Sequence, residues 1–195
     1  MFSVKIGKLL EMTDNEKESY REFAERFRSK AIHDVHTLAV IGGGADALKV
    51  AKSLSGSNER VIFIDGDFTQ SIFLGRFKLG KKLEGWTDVI SQSKSDLSSQ
   101  ICITSDPDID LMFTGNSQIA WSNIVRDDLK KGLDALADKY AWVIVASDEE
   151  GRTAQSCDAA VVAMKQSEYS DYNARSRIER LDREGVCVAG VILYE

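Results

Sequence analysis

Short apolar runs alternate with amphipathic stretches along the chain. Leu38-Ala39-Val40-Ile41 and Val61-Ile62-Phe63-Ile64 are apolar at every position, the pattern of strands covered on both faces. Residues 142–146, 159–164 and 186–193 repeat it. Residues 101–104 and 109–114 alternate or run apolar around Ser105-Asp106-Pro107-Asp108, a good turn sequence. Helical spacings lie between these runs. Tyr20, Phe23, Ala24, Phe27 and Ala31 recur three and four apart. Thr13 and Glu16 form a capping box ahead of them, so the pattern predicts a helix over about 14–30 with a charged outer face. A second helix over 45–54 buries Leu48, Ala51 and Leu54 and ends at Ser55-Gly56-Ser57-Asn58. A third starts at Ser122 or Asn123, runs through Lys139, and turns Val125, Leu129, Leu133 and Leu136 inward. Residues 87–91 read as one or two helical turns, and 167–184 as a polar helix closed by Gly185. The long stretch 68–85 reads as a Gly-dotted connection. This alternation implies right-handed βαβ crossovers. It predicts one domain over residues 1–195, a three-layer α/β/α unit with a mainly parallel sheet and an N-terminal helix before the first core strand.

Composition narrows the function classes. A net charge of −6 argues against nucleic acid as a partner. No apolar run reaches the roughly 18 residues of a membrane span, and the first residues lack the apolar core of a leader peptide. Cys102, Cys157 and Cys187 are odd in number and scattered, as reduced, mostly buried thiols would be. The expected location is the cytoplasm.

The candidate chemistry gathers where strands end, since ligands of such sheets sit at the carboxyl ends of strands. Gly42-Gly43-Gly44 turns the first strand into a helix, the junction at which a P-loop cradles phosphate. That cradle needs Gly-Lys-Ser/Thr, with Lys for charge and a hydroxyl for Mg²⁺. Here Ala45-Asp46-Ala47-Leu48 follows, with a carboxylate about where the ammonium belongs. The same stretch fits the looser dinucleotide fingerprint G-x-G-x-x-A, with Asp65 as the ribose-binding acid. Asp65 and Asp67 close the second strand as a D-x-D pair, suited to holding Mg²⁺ or lining a solvated rim. Asp148-Glu149-Glu150 follows the strand ending at Ala146, two residues late for a metal-binding acid, and reads as a solvated loop. The Gly42–Gly44 turn, the 65–67 loop and the loop after Ala146 are expected to meet. His33 and His36 lack further ligands nearby and read as loop histidines. The scaffold is P-loop NTPase-like or Rossmann-like.

In order and spacing, these segments resemble the bacterial tyrosine kinases of capsule and exopolysaccharide synthesis, a branch of the MinD/ParA-like P-loop ATPases. Glu18 and Arg21 match two of the three positions of that family's Glu-x-x-Arg-x-x-Arg oligomerisation helix; the third is Ala24. Val61-Ile62-Phe63-Ile64-Asp65-Gly66-Asp67 is similar to its second Walker-type motif, and Gly85-Trp86-Thr87-Asp88-Val89-Ile90 to its Gly-Leu-(Ser/Thr)-Asp-Val-Leu. Leu111-Met112-Phe113-Thr114-Gly115 resembles its Leu-Leu-Pro-Ala-Gly strand, and residues 140–147 the strand that should end Asp-Thr-Pro-Pro. The departures fall in the chemistry. The Walker lysine and hydroxyl give way to Asp46 and Ala47, the third-motif aspartate to Ala146, and the chain has a single proline, Pro107. Of the acids, Asp65 and Asp67 remain. The resemblance therefore implies a degenerate, non-catalytic member acting as a scaffold or regulator in polysaccharide assembly. Its degenerate nucleotide loop is Gly42, Gly43, Gly44 and Asp46, and its partner-contacting residues are Glu18 and Arg21. It implies a membrane-anchored chain-length regulator or a kinase homologue as partner, homo-oligomers, and a place at the inner face of the membrane through that partner. No cofactor is expected, with ATP/Mg²⁺ and NAD left open. The alternatives are a dinucleotide-binding protein or oxidoreductase using Gly42–Gly44 and Asp65, and an ATPase with shifted ligands such as Lys49 and Asp148.

Overall fold

The computed structural model describes residues 3–30, 35–56, 59–67, 73, 84–115 and 123–194. In chain order the elements are β1 (Ser3–Val4), α1 (Asp14–Lys30), β2 (Thr37–Ile41), α2 (Gly44–Leu54), β3 (Val61–Asp65), α3 (Trp86–Ile90), β4 (Cys102–Thr104), β5 (Ile109–Met112), α4 (Asn123–Ala137), β6 (Trp142–Ser147), β7 (Ala159–Lys165), α5 (Asp171–Arg183) and β8 (Val188–Tyr194). The strands form one eight-stranded sheet in the order β1-β4-β5-β3-β6-β2-β7-β8. All neighbours are parallel except β4 and β5, which pair as an antiparallel hairpin. The three-layer, mainly parallel α/β architecture is as the alternation predicts.

The central strands β2, β3 and β6 are buried along their whole length, as runs without polar alternation require. One core packs α1 and α2 on the sheet through residues such as Leu38, Val40, Leu48, Phe63 and Ile144. The other face is covered by α3 and α4 around Trp86, Leu129, Leu133 and Leu136, and by α5 around Ala174 and Leu181. Each fully buried Leu contributes about 1.5–3 kcal/mol relative to exposure.

Several boundaries move. The capping box at Thr13 forms as expected, with Thr13 N donating to Glu16 Oε2 at 2.7 Å and Glu16 N to Thr13 Oγ1 at 3.2 Å. Helix α5 starts at Asp171 rather than 167, because Ser170 accepts from Asn173 N and residues 166–168 form a separate 3₁₀ turn. Gly185 ends that segment with φ +81°. The two-residue strand β1, pairing with β4, was not anticipated. The inner stripe of α1 is uneven. Tyr20 and Ala24 are buried, whereas Phe23 and Phe27 are half-buried and stack on each other at 5.6 Å. Cys187 is exposed and Cys102 and Cys157 are half-buried, so the thiols are less buried than expected. Ala31, His33, Ser122 and nearly all of 68–83 lie outside the described residues.

Candidate active site

The glycine turn, the end of β3 and the end of β6 meet at the carboxyl edge of the sheet. Asp65 is in register with Ala146, and Ile41 with Ser147. Gly42 N donates to the Ser147 carbonyl at 3.4 Å. The three segments singled out from sequence therefore lie side by side.

The turn itself is short. Strand β2 ends at Ile41 and α2 begins at Gly44, which leaves Gly42 and Gly43 as the whole connection. Gly42 has φ +88°, a left-handed conformation that glycine adopts without steric cost. A Walker loop, by contrast, spans six positions from its first glycine to the one before lysine, enough chain to wrap a phosphate. The space over this turn is filled. A Cβ placed on Gly43 would lie 2.7 Å from Asp46 Oδ2 and 2.9 Å from the Ala163 Cβ. One placed on Gly42 would lie 2.5 Å from Arg177 Nη2 and 2.7 Å from Glu149 Oε1.

Asp46 occupies the third position of α2 and leans back over its N-cap, Gly43. It is buried, and Tyr20 of α1 donates its hydroxyl to Oδ1 at 2.5 Å. Lys49, one turn on, points to Glu16 at 2.6 Å and stands 3.9 Å from Asp46. The hydrogen bond from Lys49 and the capping amide of Thr13 pull the Glu16 carboxyl down to about 2. Arg28 completes the clamp on α2, donating to the Leu54 carbonyl at 2.7 Å. Lys49 thus joins α1 to α2 through Glu16.

The acids fare differently. Asp65 is fully buried, and its carbonyl accepts from Trp86 Nε1 at 2.9 Å and Thr114 Oγ1 at 2.7 Å. This fastens the Gly85–Asp88 stretch to the end of β3, with Gly85 N donating to Asp88 Oδ2 at 2.9 Å. Asp67 is half-buried. Asp148, expected in a solvated loop, is buried, because β6 extends through Ser147 and carries the next residue inward. Arg152 meets it twice, through its amide at 2.9 Å and its guanidinium at 3.0 Å. Burial nevertheless pushes the Asp148 carboxyl up, and Asp67 and Glu150 add to the rise. Glu149 and Glu150 are exposed, as a loop reading requires. Among the described residues no group of three or more His, Cys, Asp or Glu is placed to hold a metal ion.

Topology bears on the dinucleotide alternative. A Rossmann fingerprint places its acid on the strand adjacent to the glycine strand. Here β6 lies between β2 and β3, so Asp65 stands two strands away, about 10 Å at ~4.8 Å per strand. Glu18 and Arg21 lie on the outer face of α1, paired with each other and, through Arg21, with Glu25 at 2.8 Å. His36 donates its backbone amide to Asp158 and takes no part in the site. From sequence Tyr20 reads only as part of the apolar stripe of α1 and Glu149 only as a solvated-loop acid, and Arg177 is not singled out. They come from three elements far apart in the chain, and no local motif marks them.

Comparison with known proteins agrees with the residue-level resemblance. The chain is 23% identical over 159 residues to the tyrosine-protein kinase CpsD of Streptococcus pneumoniae serotype 4, spanning 78% of this chain and 70% of that protein. Its fold matches the crystal structure of the VpsO kinase domain with a TM-score of 0.71 at 17% identity, over 93% of this chain and 94% of that one. A plasmid partition protein from Borrelia burgdorferi matches with a TM-score of 0.60 at 18% identity, over 82% and 78%. No protein-family profile matches the chain.

Proposed function

With homology to the tyrosine-protein kinase CpsD as the premise, we propose that the chain is a non-catalytic relative that works as a scaffold or regulator in capsular or exopolysaccharide assembly. The observation that carries this reading is the two-residue Gly42–Gly43 connection, with Asp46 leaning over it. Such a turn has too little chain to encircle a phosphate. A carboxylate there also replaces attraction by repulsion, worth about 4 kcal/mol for unit charges 4 Å apart at an effective dielectric constant of 20. The third-motif position holds Ala146, and Lys49 is committed to Glu16. Partner contact is supported by two of the three motif positions, Glu18 and Arg21, with Ala24 at the third. Helix α1 carries Glu18 and Arg21 outward, and an apolar groove of about 670 Å³ runs beside it, lined by Phe23, Phe27, Val161, Val188 and Ile192. The partner in this reading is a membrane-anchored chain-length regulator or a kinase homologue.

The test is phosphoryl transfer. Purified protein with radiolabelled ATP and Mg²⁺ is expected to release no phosphate and to label none of its tyrosines. Turnover abolished by Asp65→Ala or Asp67→Ala overturns the reading. Parallel calorimetry with NAD is expected to show no binding, and a micromolar constant lost in Gly44→Val would restore the dinucleotide alternative.

A further inference from the structure

We propose that β8 is a self-association edge, through which two copies of the chain join antiparallel about a two-fold axis perpendicular to the sheet. Strands β1 and β8 are the two edges of that sheet. The β1 edge is blunted, since the strand is two residues long and the exposed Lys5 follows it. The β8 edge has no such protection. It is seven residues long, and residues 186–194 contain neither a charge nor a proline. It pairs with β7 on one side, and among the described residues nothing pairs with the other.

Both faces of the strand are apolar. Ile192 belongs to the core beneath α1 and α2, Val188 and Val191 pack on the core beneath α5, and Leu193 is 44% exposed. The occupant of this edge must therefore bring an unpaired extended strand that is apolar on both faces. Among the described residues β8 of a second copy meets that requirement. Strand β1 is too short to do so, which rules against an open filament running β1 to β8. With Val191 on the axis all seven residues overlap, and no charge lies opposite another. The groove between α1 and β8 opens at the same edge, so the second copy extends its floor. One shared ladder falls short of the ~800 Å² per partner of a standard interface, so the dimer is a micromolar one. Each copy carries a net charge of −6, and salt tightens the dimer by screening that repulsion. Association through the exposed Glu18 and Arg21 would weaken with salt instead.

Sedimentation equilibrium of the full chain tests the proposal. Wild type is expected to dimerise with a micromolar constant that falls as NaCl rises from about 50 mM to about 500 mM. A Cβ on Gly190 meets nothing within 4 Å, so Gly190→Lys sets a charge at the middle of the edge without a clash in its own chain. It also lowers the net negative charge, so a lost dimer is not the result of overall repulsion. That variant is expected to weaken the dimer about tenfold or more, whereas Glu18→Ala/Arg21→Ala is expected to keep it. Circular-dichroism melting checks that Gly190→Lys is folded. Where it is not, Leu193→Lys at an exposed position of the same strand takes its place. In a Cys187→Ser background, Val191→Cys is expected to give a disulfide-linked dimer under mild oxidation, because facing residues of an antiparallel pair have Cα atoms about 4.5–5.5 Å apart. A wild type that stays monomeric up to about 100 μM overturns the proposal. So does a dimer that salt weakens, that the folded lysine variant leaves unchanged, or that is lost with Glu18 and Arg21, and so does a Val191→Cys chain that forms no linked dimer.

Discussion

At the amino edge of the sheet, Asp158 accepts the amides of Thr37 at 2.9 Å and His36 at 3.0 Å, and Lys130 reaches it at 3.1 Å. Burial alone would raise its carboxyl, but these donors together hold it below the usual carboxylate range. Four strands away on β5, Asp110 accepts Tyr140 Oη at 2.6 Å and Arg60 at 2.5 Å. At the carboxyl edge Asp148 has one cationic partner among the described residues, Arg152, and burial and the surrounding acids push it up. The amino edge is built for stability, with each acid matched to donors from neighbouring elements. The carboxyl edge gathers Asp67, Asp148 and Glu150, and a buried carboxyl raised by neighbouring acids is the electrostatic pattern of a candidate functional site.

The largest test of this contrast is Asp158→Ala. It strands the buried Thr37 amide and removes a charge-assisted contact, so urea unfolding at pH 7 should show a loss of about 3 kcal/mol. The pH dependence has a fixed sign. The folded value lies below the unfolded one, so the contribution is present above about pH 4 and is lost as the pH falls through the folded value. A loss that persists unchanged at low pH would remove the ionic part of this account.

Phe23→Ala comes next. Full burial would make it worth about 3–5 kcal/mol, but Phe23 is half-buried, so about 2 kcal/mol is expected in the same assay. A loss as large as full burial implies would make the aromatic stripe, rather than Tyr20 and Ala24, the anchor of α1.

Asp148→Asn should act with the opposite sign to Asp158. Its folded carboxyl lies above the unfolded value, so ionisation weakens the fold as pH rises through that window. The variant should therefore melt slightly higher than wild type at pH 7, with the difference closing below about pH 4. A lower melting temperature at pH 7 would show that the Arg152 contact outweighs burial.

The smallest stability effect belongs to the Glu18→Ala/Arg21→Ala double variant. Both side chains are exposed, and pairs of this kind add little to a fold. The melting temperature should not move, while sedimentation should show loss of self-association or of partner capture. Unchanged sedimentation and capture would leave α1 as a structural element only.

The apolar strands and the Thr13 capping box were readable because each is written in consecutive residues. So was the meeting of the Gly42–Gly44 turn with the 65–67 and post-146 loops, since βαβ alternation puts the carboxyl ends of parallel strands on one edge of the sheet. What filled the turn was not readable. The Tyr20–Asp46 bond and the Arg177–Glu149 pair join residues from different elements, and only the packing of α1 and α5 on the sheet brings them together. Asp148 was misjudged because one extra strand residue, Ser147, decides whether the next side chain faces solvent or core. The distance from Gly42 to Asp65 was hidden for a similar reason, since the insertion of β6 between their strands is a tertiary fact.

The central claim is that the glycine turn holds no nucleotide in the wild-type chain. Calorimetric titration with ATP and Mg²⁺ at 25 °C tests it most directly. The closed turn predicts no saturable heat up to millimolar nucleotide, a free energy weaker than about −4 kcal/mol. A micromolar dissociation constant that Gly43→Val abolishes would contradict it.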